Sequence, residues 1–113
     1  MNKNKIFVAN FSGHDIEKAF DHTDLDPFKA QINLTEGNVD VFNLDRLIYV
    51  IKQKVRDSKP TDLLLLCGSV IINAIAVCQW LEKHGMARLL IYHAKERRYV
   101  LKEITHVKMY VDL

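Results

Sequence analysis

The feature that most constrains this chain is a run of five apolar residues, Leu63-Leu64-Leu65-Leu66-Cys67. It is closed by Gly68-Ser69 and followed at once by a second apolar stretch, Val70 to Leu81. A strand with one wet face alternates apolar and polar residues. A run without alternation belongs to a strand covered on both faces, as in a parallel sheet flanked by helices. Gly68 supplies backbone freedom for a turn, and Ser69 is a residue type that caps helix N-termini. The stretch after it predicts a helix over 70–83, with Gly85 as its stop. Strand, tight turn and helix form the repeating unit of α/β proteins.

The rest of the chain fits that unit. Ile6-Phe7-Val8-Ala9 reads as a short buried strand that ends in a loop, Asn10-Phe11-Ser12-Gly13-His14-Asp15. A short helix is expected from Asp15 to about Phe20, then an acidic, irregular stretch from His22 to Pro27. Gln31 to Thr35 alternates as a half-buried strand should, and Glu36-Gly37-Asn38 breaks it. Leu44, Leu47, Ile48, Ile51 and Val55 fall on one helical stripe, with Asn43 as its cap and Ser58-Lys59-Pro60 as its end. Arg88 to Tyr92 reads as a strand, Ala94 to Arg97 as a turn without the usual glycine or asparagine, and Arg98 to Thr105 as an antiparallel return. The tail alternates at Val107, Met109 and Val111 and predicts an edge pairing or an extension of that strand.

The expected fold is a small Rossmann-like α/β sandwich. It is one domain over residues 1–113, with a mostly parallel sheet, right-handed crossovers and a C-terminal antiparallel hairpin. Segments 6–10 and 62–67 should lie at the centre of the sheet. A length of 113 residues with 49% hydrophobic content suits a single domain with a real core. No apolar run is long enough to cross a membrane, and Ile6 to Ala9 is too short for a signal peptide. A cytoplasmic protein is expected.

The net charge of +2 does not point to long nucleic acid, yet it is uneven. Residues 1–45 hold four Lys/Arg and eight Asp/Glu, and residues 46–113 hold twelve and six, so −4 and +6 make the total. A basic C-terminal half can attract a small anion. Cys67 and Cys78 form no C-x-x-C pair and read as buried free thiols. His22, His84, His93 and His106 show no metal spacing, so neither metal nor cofactor is expected. Trp80 and Tyr92 should fill the core or an interface.

In an open parallel sheet, ligands bind beyond the carboxyl ends of the strands, where strand order reverses. Three loops qualify: Asn10 to Asp15, Glu36 to Asn43, and Cys67 to Asn73. Gly68 and Ser69 open a helix whose free N–H groups and partial positive charge suit a phosphate or carboxylate. Asn10, Ser12, Gly13, His14 and Asp15 form the opposite wall, and Asn73 lies one turn into the helix. His14 beside Asp15 is the candidate general acid or base.

Three functions follow from these residues. The first is a binding module for a nucleotide-derived or other small anionic ligand. The second is a small hydrolase or nuclease acting through His14. The third is a protein–protein adaptor whose polar loops are only turns. Helix 70–83, apolar on more faces than one sheet can cover, predicts a homodimer or larger homo-oligomer.

Two resemblances bear on this choice. Val8-Ala9-Asn10-Phe11-Ser12-Gly13-His14-Asp15, with Asp57 to Gly68 and Leu89-Leu90-Ile91-Tyr92, resembles small proteins encoded by bacteriophages and mobile elements. That resemblance covers most of the chain and brings no activity with it. The strand, Gly68-Ser69 and the alanine- and isoleucine-rich helix are similar to the second ligand loop of CRISPR-associated Rossmann-fold (CARF) domains. That similarity implies binding of cyclic oligonucleotides across a homodimer. The CARF loop carries a Thr-Gly-Gly-Thr-Lys-like run, whereas Cys67-Gly68-Ser69-Val70-Ile71 has no lysine. In a phage setting, the implied role is counter-defence by sequestering a signalling nucleotide.

Overall fold

A computed structural model describes residues 4–13 and 31–105 of the chain. The expected helix at 15–20, the acidic stretch at 22–27 and the alternating tail at 107–111 lie outside the described residues. The described elements are β1 (Ile6–Phe11), β2 (Gln31–Glu36), α1 (Leu44–Val55), β3 (Leu63–Leu65), α2 (Val70–His84), β4 (Met86–His93) and β5 (Arg98–Thr105). They form a mixed α/β domain with a five-stranded sheet in the order β2-β1-β3-β4-β5. The first four strands of that row are parallel, and β5 returns antiparallel to β4. β1 and β3 are neighbours at the centre, as the apolar runs require.

Side chains along β1 alternate between two apolar clusters. Phe7 and Ala9 join Leu64, Ala87 and Leu89 beneath the helices, together with Ile51, Val55, Ile72, Ala76 and Trp80. Ile6 and Val8 join Leu63, Leu65, Leu90 and Tyr99 on the other face. Every one of these β1 and β3 side chains is buried, which explains why neither strand shows a polar alternate. Trp80 is fully buried and meets Phe7 edge to face at 5.0 Å, an arrangement aromatic quadrupoles favour. Its indole N–H has no hydrogen-bond partner among the described residues.

β3 is shorter than its apolar run. Leu66 N–H still reaches the Leu90 carbonyl at 3.1 Å, but the Cys67 N–H turns to the Asn73 side-chain oxygen at 3.1 Å. The ladder therefore ends where the side chain of α2 takes over the backbone. Gly85 ends α2 with φ +73, and β4 begins at the next residue, two earlier than the sequence pattern suggests. The glycine-free turn at 94–97 is made by Arg97 itself, which takes φ +53. Tyr92 is half exposed and stacks edge to face on Tyr99 rather than filling the core.

Both helices lie against the same sheet face and meet along their flanks. Lys83, in the last turn of α2, donates to the carbonyls of Val55 and Ser58 at 3.1 and 3.0 Å and also to that of Arg56. These carbonyls end α1, where no intrahelical N–H remains and the helix dipole is negative. The amino edge of the sheet is tied by Asp62, which is buried. Its carboxylate accepts the N–H of Lys5 and that of Lys59, each at 2.8 Å, and so fastens the start of β1 to the turn before β3. Asp62→Ala strands both donors, and urea unfolding should show a loss of about 2 to 3 kcal/mol, the scale for hydrogen bonds to a charged group.

Candidate functional site

Strand order reverses between β1 and β3: from β1 the chain goes to β2 on one side, then crosses back to β3 on the other. In open α/β sheets ligands bind at the carboxyl ends of the strands flanking such a reversal, which here are the segments Asn10–Gly13 and Leu66–Ser69. Asn10 is buried there. Its side-chain oxygen lies 2.9 Å from the Thr35 hydroxyl, and its amide nitrogen donates to the Gly37 carbonyl at 3.2 Å. The Thr35 hydroxyl also lies 2.7 Å from the Ala9 carbonyl, so its single proton is shared between two acceptors. The main-chain carbonyl of Asn10 accepts the Cys67 thiol at 3.1 Å. Asn10, Thr35, Cys67 and Asn73 thus form one internal network that stitches β2, β1, β3 and α2 together.

Gly68 closes the network. Its φ is +84, and a Cβ there would sit 2.8 Å from the Asn10 Cβ and 3.2 Å from the Asn10 amide nitrogen. Both the left-handed backbone and the close approach demand glycine. Ser69 then caps α2, its hydroxyl accepting the Ile72 N–H at 3.3 Å. The N–H groups of Val70 and Ile71 have no acceptor among the described residues. Val70 is 85% exposed, so this first turn opens to solvent.

The expected site residues therefore fall into groups. Asn10, Gly68, Ser69 and Asn73 come together, but the side chains of Asn10, Ser69 and Asn73 are engaged inside the protein. Ser12 and Gly13 follow β1 as exposed loop residues, with Gly13 at φ +90. His14 and Asp15 lie outside the described residues. Sequence reasoning missed Thr35; Gly37 and Cys67 lie in two of the loops it named, but it gave neither a place in the cluster. The register that sets Asn10 opposite Thr35 is a pairing fact that no single strand's pattern encodes. The expected Glu36 to Asn43 loop borders a cleft of about 390 Å³ at the end of β2, with Thr35 and Arg46 at its edges.

Both cysteines are free, but only Cys67 is half-buried; Cys78 is exposed on α2, against the expectation of two buried thiols. Burial pushes the Cys67 thiol above its ordinary pKa, and hydrogen bonding to the Asn10 and Ala9 backbone offsets this only in part. Cys67 is a structural thiol at neutral pH and a poor nucleophile. Among the described residues, no group of three or more His, Cys, Asp or Glu could hold a metal ion. No described helix is long and apolar enough to cross a membrane.

A second polar pair lies at the opposite, amino edge. His84 Nε2 is 2.8 Å from the Ser58 hydroxyl, a distance that suits a base and a nucleophile. The hydroxyl proton, however, goes to the Val55 carbonyl at 2.6 Å, so His84 is the donor and Ser58 the acceptor. The pair joins the ends of α1 and α2 and has no activated oxygen.

The family model of phage Pam3 gp32-like proteins matches residues 4–106. The chain belongs to this family. The match covers the whole sheet and both helices, and it agrees with the resemblance to phage-encoded proteins read from Val8 to Asp15 and Asp57 to Gly68. No curated protein and no solved structure matches the chain.

Two predictions follow from the geometry of the gp32-like domain. Gly68→Ala should lose about 1 to 3 kcal/mol of stability, combining the left-handed backbone penalty with overpacking against Asn10. Differential scanning calorimetry checks it, with Gly13→Ala, which meets nothing within 4 Å, as the milder comparison. The second concerns pH. Burial lowers the His84 pKa below its ordinary 6.5, the Lys83 ammonium adds to the effect, and Asp62 opposes it. The unfolded chain then binds the proton more readily than the fold does. Stability is full above pH 6.5 and falls as pH drops through the folded value. Unfolding midpoints measured between neutral and mildly acidic pH should show this slope, and His84→Gln should flatten it.

Proposed function

We propose that this domain is a Rossmann-like binding module that holds a small anionic, nucleotide-derived ligand at the carboxyl edge of its sheet. The observation that carries the reading is the bare first turn of α2. At the strand-order reversal Gly68 lies against Asn10, and the N–H groups of Val70 and Ile71 have no acceptor among the described residues. Such a turn offers donors and the positive end of a helix dipole to an anion. The side chains around it are engaged in internal hydrogen bonds, so recognition falls to the backbone and to the loop after β1. This is the arrangement of a holder rather than of a reacting centre: Cys67 is a protonated thiol, and no described side chain pairs a base with a free nucleophile.

The loop Cys67 to Ile71, read as similar to a CARF ligand loop, supports the same ligand class. Membership in a phage family makes a host signalling nucleotide, bound and sequestered, the first ligand to test. The hydrolase reading depends on His14. The ligand's fate decides between the two: the binding reading requires that it be recovered intact.

Calorimetric titration with mononucleotides, cyclic nucleotides and inorganic phosphate should give binding for at least one nucleotide. Ser69→Asp keeps a good N-cap but adds a negative charge at the helix start. It should abolish that binding while the melting temperature stays within a few degrees of the parent. A panel without any heat of binding or thermal shift in the parent protein would sink the proposal.

A further inference from the structure

The helix layer carries a groove of about 580 Å³ on its outer side, between α1 and α2 and far from the proposed anion site in lining residues. Ile48, Lys52 and Arg56 line it from α1; Ala74, Cys78 and Glu82 line it from α2. Each trio steps by four residues, so each is a continuous ridge along one helix face. The α1 ridge extends at its amino end to Leu44, 44% exposed. Ile48 is itself 42% exposed, and Ala74 and Cys78 are open to solvent. Adjacent apolar side chains in contact with water along two neighbouring helices mark an association surface.

The two helices connect parallel strands in the same sense, so they run side by side in the same direction. Gln79 of α2 donates to the Ile48 carbonyl of α1, and Lys83 reaches the carbonyls of Val55 and Arg56. These contacts set the level of one ridge against the other. The apolar residues Leu44, Ile48, Ala74 and Cys78 gather at the amino half, and Lys52, Arg56 and Glu82 at the carboxyl half. Among the described residues Glu82 and Lys52 form no ion pair, and the salt bridge present there is elsewhere, between Arg98 and Glu96.

We infer that the groove is the interface of a homodimer in which a second copy packs its helix layer face to face on the first, about a two-fold axis parallel to the helices. That operation sets α1 of one copy against α2 of the other at the same level. Gln79 lies level with Ile48, so Leu44 and Ile48 meet the partner's Ala74 and the partner's Cys78, and Lys52 meets the partner's Glu82, with Arg56 one turn beyond. A two-fold axis across the helices instead sets α1 on α1 and brings cations over apolar residues. The charge pattern thus selects the first arrangement, because a self-complementary interface must offer each sign to the other. The surface does not rest on the anion-binding reading and leaves the start of the loop after β1 uncovered.

The test is sedimentation equilibrium on the full chain at micromolar concentration, with circular dichroism as the control for folding. The parent protein should be a dimer. Ala74→Glu, at a solvent-exposed position, should give a folded monomer. Glu82→Lys sets like charges opposite one another and should weaken dimerisation about tenfold or more. Adding Lys52→Glu and Arg56→Glu to Glu82→Lys reverses every pair and should restore the dimer. A parent protein that is monomeric, as it would be if the groove serves another protein's helix, overturns the inference. So does a dimer indifferent to Ala74→Glu, or a Glu82→Lys defect that the triple reversal leaves unrepaired.

Discussion

The pairing of β1 with β3 sets the terms for the rest of the molecule. Both strands are buried on both faces, so every residue from Ile6 to Ala9 and from Leu63 to Leu65 must be apolar, and each side of the sheet must be covered. A covered parallel pair cannot be joined by a hairpin. The chain must leave the sheet and return, which here places β2 on one flank of β1 and β3 on the other. The reversal of strand order is a consequence of that routing. So is the meeting of two loops at the carboxyl edge, where the chain's candidate chemistry gathers.

That edge has its own constraint. Four segments converge at a buried point, and each brings backbone groups that the ladders no longer satisfy. The Asn10, Thr35 and Asn73 side chains take up those groups: Asn10 on the Gly37 carbonyl, Thr35 on Ala9, Asn73 on the Cys67 N–H. Leaving such groups unpaired costs about 1 to 3 kcal/mol each, so the polar residues here are structural before they are anything else. What escapes this use is the pair of N–H groups of Val70 and Ile71, which have no acceptor among the described residues. In the proposed reading this first turn of α2 recognises an anion through backbone donors, and the side chains around it set the position of the backbone.

Much of this was legible in the sequence, for identifiable reasons. Local signals were reliable where one residue decides the outcome: Ser69 and Asn43 as caps, Gly85 as the helix stop, the spacing of Leu47, Ile51 and Val55. The unbroken run at Leu63 disclosed burial on both faces and hence the parallel centre. The sequence was silent where the outcome depends on a pairing. Nothing local tells that Gly68 is a glycine because Asn10 lies 2.8 Å from where its Cβ would be. Nothing local tells that Ser58 and His84, separated by 26 positions, meet at 2.8 Å. The helix at Val70 looked apolar all round, and the structure divides it. Ile72, Ala76 and Trp80 face the sheet, while Ala74 and Cys78 face outward.

The basic C-terminal half shows how misleading a sum of charges is. Several of its cations are already assigned within the fold. Lys83 closes the carboxyl end of α1, Arg88 donates to the Thr61 carbonyl at 3.3 Å, and Arg98 pairs with Glu96 at 2.6 Å. None of these is aimed at the carboxyl edge where an anion was expected to bind. Lys52 and Arg56 stand instead on the helix layer beside Glu82, in a groove whose amino half is apolar. The excess of positive charge therefore separates into a share engaged within the fold and a share lining the helix-layer groove. The anion site proposed at α2 draws its field from the helix terminus, not from lysine, which is why the loop from Cys67 to Ile71 can lack one and still present donors to a phosphate.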